Sequence, residues 1–150
     1  MQRKLTRKPK SYVRPSAIIQ FQDYSRAMTP LDRYRKHYVM FDYWNSELLG
    51  ALEGRDFNVK RLRTYSSEAL QELRQLQALL QDDRAAQVEP LIAQRATVDQ
   101  QINQRPLMPS DLGAIRQRLE GQTRRIHREL SWRVVEDHVK GQETTDAVPH

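Results

Sequence analysis

Four histidines, His37, His127, His138 and His150, are the side chains of this sequence best suited to acid–base chemistry or metal binding, and their spacing argues against both. A metal held between helices needs two ligands at i and i+4, or Glu-x-x-His pairs on facing helices, and neither pattern occurs. His37 is expected to be partly buried, and His127 and His138 to sit on the surface. The carboxylate pairs Asp82-Asp83 and Glu136-Asp137 read as helix-end or solvated charges rather than as an acid–base couple. No glycine-rich phosphate loop occurs, nor a serine nucleophile with a base at useful spacing. The sequence has no cysteine, which removes thiolate chemistry, disulfides and lipid attachment through sulfur. The reading is of a protein that is not an enzyme and takes no metal, cofactor or small-molecule ligand.

Charge is the more informative chemistry. Arg3, Lys4, Arg7, Lys8, Lys10 and Arg14 place six cations and no acid in the first fourteen residues. Such an arm can neutralise phosphates on RNA, DNA or anionic lipid, and Tyr12 within it can stack on a base. The outward face of the last helix adds Arg118, Arg124, Arg125 and Arg128, diluted by Glu120 and Glu129. No helix-turn-helix, RNA-recognition or zinc-finger pattern accompanies these residues, so any contact is with phosphate and not with base edges. The plainer alternatives are a solubilising tail, or an arm threaded into a neighbouring protein. Residues 29–150 hold 18 basic and 18 acidic residues, so the formal net charge of +6 belongs to the arm alone.

Five rings, Tyr34, Tyr38, Phe41, Tyr43 and Trp44, crowd eleven residues and would suit a ligand pocket or a platform for bases. Helical spacing instead assigns Tyr34, Tyr38, Phe41 and Trp44 to a core. Tyr43 points away from that stripe, as does Val39 one turn earlier, and the two offer a second contact surface. Asn45 falls on the seam itself, where a buried amide can fix register. The alternative adopted here is a position at the seam's edge, bonded to Ser66.

These side chains need helices to position them. Thr29 as N-cap, Pro30 in the first helical position and Asp32 in the first turn open a helix that Gly54 stops. Leu31, Tyr34, Tyr38, Phe41, Asn45, Leu48 and Leu52 repeat along it in steps of three and four, widened by His37, Trp44 and Ala51. A second seam, Val59, Leu62, Ser66, Ala69, Leu73, Leu76 and Leu80, follows the turn at 54–56. Two such helices on a short turn pack antiparallel, bringing Phe41 near Ala69 and Trp44 and Asn45 near Ser66, large against small. The seam then shifts phase: Val88, Leu91, Arg95, Val98 and Ile102 follow Leu80 only through an extra four-residue step. Either one kinked helix covers 57–104, or it breaks near Asp83, whose carboxylate could cap a new start. Pro106 and Pro109 break the chain firmly. Ser110 then caps a last helix, to about 140, with Leu112, Ile115, Leu119, Ile126, Leu130 and Val134 on one face and Gly141 as its cap. Folded back, this helix brings Ile126 near Val88 and Val134 near Leu80.

The fold expected is all-α: an antiparallel hairpin of about 30–53 with 57–81, extended into a three- or four-helix bundle by about 84–104 and 110–140. Residues 1–15 form a flexible basic arm, 16–140 a single helical domain, and 141–150 a disordered tail. Ser16 can cap a short helix bearing Ile18, Phe21 and Tyr24, or Ala17–Phe21 can lie extended on the bundle. With 38% hydrophobic and 29% charged residues, the chain is lean for a globule and suits the narrow seams of helical bundles and coiled coils. The expected core is Tyr34, Tyr38, Phe41, Trp44, Leu48, Leu62, Ala69, Leu73, Leu76 and Leu80. The function expected is that of an interaction or scaffold protein, a structural subunit of a larger assembly or homo-oligomer. It docks through helix faces and the arm on a protein partner. Sequence-independent nucleic-acid contact and peripheral attachment to anionic membrane are the alternatives. No stretch approaches the roughly 20 apolar residues of a membrane span. The positive N-terminus has no apolar segment after it, so the cytoplasm is the default compartment, with a processed exported form left open.

Overall fold

A computed structural model of the chain describes residues 28–53, 58–104 and 106–141. The basic arm, the segment 16–27, the turn at 54–56 and the tail 142–150 lie outside the described residues. Four long helices follow one another: α1 (Pro30–Glu53), α2 (Val59–Ala78), α3 (Asp82–Gln104) and α4 (Pro109–Leu130). A single turn, α5 (Trp132–Val135), and a 3-10 turn at Glu136–His138 complete the order. Each long helix packs on the next, and α4 returns to pack on α1. The result is the expected all-α antiparallel bundle in its four-helix form, with no strand among the described residues.

The helix starts follow local chemistry. Asp32 N–H donates to Thr29 Oγ1 at 3.0 Å while Thr29 N–H donates to Asp32 Oδ2 at 3.2 Å, a reciprocal cap ahead of α1. Arg61 N–H donates to Asn58 Oδ1 at 3.1 Å to open α2. At α4 the structure corrects the expectation that Ser110 is the cap. Pro109 already occupies the first helical position, and Met108 N–H donates to the Asp111 carboxylate at 3.0 Å.

The break near Asp83 falls at Leu79–Gln81, and the Asp83 carboxylate accepts Arg84 N–H at 2.8 Å in the first turn of α3, which then runs unbroken through Pro90. Pro90 and Ala86, whose carbonyl loses its helical partner, are both exposed, so water can take that bond. An extended residue between helices needs partners for its backbone. Gln81 N–H donates to His138 O at 2.8 Å, and Lys140 N–H donates to Leu79 O at 2.7 Å, an antiparallel bridge between Leu80 and Val139. Gly141 follows at φ +89°, and a Cβ there would meet Pro30 Cγ at 3.0 Å. It therefore ends this bridge against the start of α1 and does not cap a helix.

The last helix also ends earlier than its periodicity suggests. α4 stops at Leu130, whose carbonyl accepts the Tyr34 hydroxyl at 2.6 Å, and Ser131 takes an extended ψ of 140°. This bend shifts the seam by one residue: Val134 is 46% exposed, while Val135 and Val139 are fully buried beside Leu80.

Two apolar clusters make the core. One gathers Tyr34, Phe41, Ala69, Leu73, Leu76, Leu80, Val88, Ile126 and Leu130, with Tyr38 and Trp44 packed against it half-buried. The other gathers Leu48, Leu52, Leu62, Val98, Ile102, Ile115 and Leu119 toward the end where α1 gives way to α2. Phe41 and Ala69 share the first cluster as the size match required, whereas Trp44 meets the Tyr65 ring at 6.0 Å.

Three outcomes follow. Val135→Ala should cost about 2 kcal/mol in urea unfolding, from two lost carbons and the space they leave. Val134→Ala should stay within about 0.5 kcal/mol, as surface changes do. Burial, then the neighbouring Tyr38, raises the Tyr34 hydroxyl above its ordinary 10. Above pH 10 the unfolded chain therefore releases a proton that the native state keeps, and stability falls as pH rises. Tyr34→Phe should lower stability by about 1–2 kcal/mol at neutral pH, through the orphaned carbonyl, and flatten its decline above pH 10.

Candidate interaction groove and the buried polar layer

Between the two apolar clusters each long helix contributes one buried polar side chain: Asn45 from α1, Ser66 from α2, Arg95 from α3 and Gln122 from α4. Each occupies a seam position, so the four meet as one layer across the bundle. Arg95 is fully buried. Its Nε–H donates to Gln122 Oε1 at 2.8 Å, and its guanidinium carbon lies 5.4 Å from the Phe41 ring centroid. Burial pulls the guanidinium down to about 10, against the opposing pull of Asp99. Its two terminal nitrogens and Asn45 Oδ1 have no hydrogen-bond partner among the described residues.

The other members are bonded to different partners from those the seam suggests. Ser66 Oγ–H donates to Asp99 Oδ1 at 2.7 Å, which also accepts from Asn103. Asn45 Nδ2–H donates to Thr123 Oγ1 at 2.9 Å. The expected Asn45–Ser66 bond is thus absent. Asn45 lies inside the bundle and faces α4, while Ser66 faces α3, because four helices give each seam two neighbours.

Gln122 connects this layer to the surface. On its other side it lines an open groove of about 580 Å³ between α3 and α4. Gln94 and Thr97 form the α3 wall, and Gln117, Arg118, Gly121 and Arg125 the α4 wall. Gly121 adds no side chain to the α4 wall, and no carboxylate is among the lining residues. Arg118 donates to Gln101 Oε1 at 3.0 Å, and Arg125 pairs with Glu129 at 3.1 Å, so both guanidinium groups are held at the rim with donors to spare.

The other residues expected to bind are scattered. Arg124 and Arg128 are exposed on α4 and make no ion pair among the described residues. Arg3, Lys4, Arg7, Lys8, Lys10 and Arg14 lie outside the described residues. Of the expected core, Tyr34, Phe41, Leu48, Leu62, Ala69, Leu73, Leu76 and Leu80 are buried, and Tyr38 and Trp44 are half-buried.

Two of the histidines are engaged in pairs between helices. His37 Nδ1 lies 2.6 Å from Glu72 Oε1, joining α1 to α2, and exposed His127 Nε2 lies 2.7 Å from Asp42 Oδ1, joining α4 to α1. His138 is half-buried at the bridge. No group of three His, Cys, Asp or Glu side chains is placed to hold a metal among the described residues. No described helix is long and apolar enough to cross a membrane. No family model, curated protein or solved structure matches the chain.

A double-mutant cycle tests the layer. Gln122→Leu should destabilise the bundle by about 3 kcal/mol in denaturant unfolding, because it strips a buried charge of its one hydrogen bond. Arg95→Met should be neutral or stabilising, and the double variant should recover most of the loss.

Proposed function

We propose that the chain is a non-enzymatic docking module, an interaction or scaffold subunit that holds an acidic segment of a protein partner in the α3–α4 groove. The observation that carries this reading is the groove's chemistry: two arginines at the rim, neutral amides and a hydroxyl on the walls, and no carboxylate among its lining residues. Guanidinium groups tethered by one hydrogen bond each keep donors in the fork geometry that fits a carboxylate. Glutamine walls add donors that suit side-chain carboxylates and peptide carbonyls alike. The rigid helices on either side mean that little order has to be created on binding. The basic arm strengthens attraction for an acidic partner and steers its approach. This reading puts the module in an aqueous compartment, by default the cytoplasm.

A second reading has one observation behind it. Exposed Arg124 and Arg128 stand on α4 without an ion pair among the described residues. With the arm they would give sequence-independent phosphate contacts to nucleic acid or to anionic lipid headgroups.

Titration with a poly-glutamate peptide, followed by amide NMR, separates the readings. The groove reading predicts shifts concentrated at Gln94, Thr97, Gln117 and Gly121. It also predicts at least about tenfold weaker binding in Arg118→Glu/Arg125→Glu, the loss expected of two charge-assisted contacts. Unchanged affinity in that variant overturns it. Binding to mixed-sequence RNA that falls steeply with salt and vanishes on deletion of residues 2–14 would instead support the second reading.

A further inference from the structure

Outside the core, α1 carries a second stripe. Lys36, Met40, Tyr43 and Glu47 follow one another in steps of four, three and four, the spacing that lines side chains along one helix face. The bundle leaves this stripe uncovered. Tyr43 is 54% exposed and Met40 36%, with Val39 beside them at 64%. Lys36 and Glu47 are exposed and make no ion pair among the described residues. A contiguous apolar face rimmed by charge marks a contact surface more often than scattered single residues do.

We infer that this face pairs with the same face of a second copy of the chain, the two α1 helices running antiparallel. The order of the stripe selects that occupant. It reads cation, apolar, apolar, anion, and its inner and outer pairs are symmetric about one midpoint, between Phe41 and Asp42. An antiparallel twofold at that midpoint sets Met40 level with Tyr43 of the second copy, and Lys36 level with Glu47 of the second copy. The symmetry repeats each contact, so two apolar contacts lie between two ion pairs. A parallel pair would instead set Lys36 against Lys36 and Glu47 against Glu47, like charge on like.

The shape of the face agrees with this register. A groove of about 410 Å³ has Lys36, Val39 and Met40 among its lining residues. With Tyr43 these stand at i, i+3, i+4 and i+7, the four corners of a hole that receives one side chain of a facing helix. In the antiparallel register, Tyr43 of the second copy is the side chain that enters it. The Tyr43 ring already rests edge-on against Trp44, with centroids 5.0 Å apart, so little side-chain freedom is lost on pairing. From Lys36 to Glu47 the stripe is about 17 Å long, on a helix about 10 Å across. That is far below the roughly 800 Å² per partner of a standard interface, so the pair is weak and reversible. None of the residues lining the α3–α4 groove is on α1, so each copy would keep that groove open and the pair would present two.

Sedimentation velocity of the full chain between about 10 μM and 1 mM, a span suited to weak complexes, reads the pairing. The wild-type chain should shift from monomer toward dimer as concentration rises. Lys36→Glu and Glu47→Lys should each weaken dimerisation by at least about tenfold, since either change turns two attractive pairs into two repulsive ones. Both positions are exposed, so neither change should disturb the fold. The double variant Lys36→Glu/Glu47→Lys should restore the wild-type affinity, because the charges have only changed places. A wild-type chain that stays monomeric to about 1 mM overturns the inference, whatever else covers the face. So does dimerisation that the single variants leave unchanged, which would place it on another surface. Dimerisation that the double variant fails to restore rejects the antiparallel register and the inference with it.

Discussion

A guanidinium sealed in the middle of the bundle, between two apolar clusters, constrains everything packed around it. A charge taken out of water is costly, and among the described residues Arg95 has only the Gln122 amide oxygen, the Phe41 ring face and the nearby Asp99 carboxylate to offset that cost. A slip of α4 by one turn, about 5.4 Å, would set Nε against an apolar neighbour of Gln122 such as Leu119 or Ile126 and leave the charge with no hydrogen bond. The same slip would strand Asn45, which donates to Thr123, the residue next to Gln122. Apolar clusters tolerate small sliding because dispersion and burial are not directional. The polar layer does not, and so it sets the register that both clusters then fill.

The layer also links core to surface. Gln122 both bonds Arg95 and lines the α3–α4 groove, so the groove is tied to the interior as well as to its rim contacts. At the far end a second set of backbone-directed bonds closes the bundle. Tyr34 caps the last carbonyl of α4, the Leu80–Val139 bridge ties the α2–α3 connector to the chain's last described stretch, and Gly141 packs against Pro30. The first and last of these contacts join the beginning of α1 to the end of the described chain, and the bridge joins the α2–α3 connector to the same stretch. One end is thus held by directional bonds, while the polar layer fixes the middle.

Much of this was legible in residue order. Thr29, Pro30 and Asp32 announce the start of α1 because capping is a contact between near neighbours. The α1 and α2 seams are equally plain, since a helix's period is a property of its own residues. What the order could not show were the contacts between helices distant in sequence. Asn45 and Thr123 stand 78 positions apart, so no local pattern pairs them, and the pairing with Ser66 suggested by the hairpin alone gave way to a four-helix geometry. The bends at Leu80 and Ser131 carry neither glycine nor proline, and tertiary bonds to Val139 and Tyr34's hydroxyl set them in place. Arg95 stood on its seam in plain view. The seven-residue gap between Leu119 and Ile126 marked the place for Gln122. Read together, the two would have signalled the layer. Of the groove, Arg118 and Arg125 were identified as binding cations, but Gln94, Thr97, Gln117 and Gly121 have no signature until two helices are placed side by side.

The claim that the bundle is built around a sealed guanidinium is tested most directly at the Arg95 Nε–H itself. In a side-chain-selective nitrogen–proton NMR spectrum, assigned with Arg95→Met, this proton should give a resolved resonance. It should exchange with solvent orders of magnitude more slowly than the exposed arginines and show a nuclear Overhauser contact to the Phe41 ring. An Arg95 signal that exchanges as fast as Arg124 or Arg128 and shows no contact to Phe41 would contradict the account.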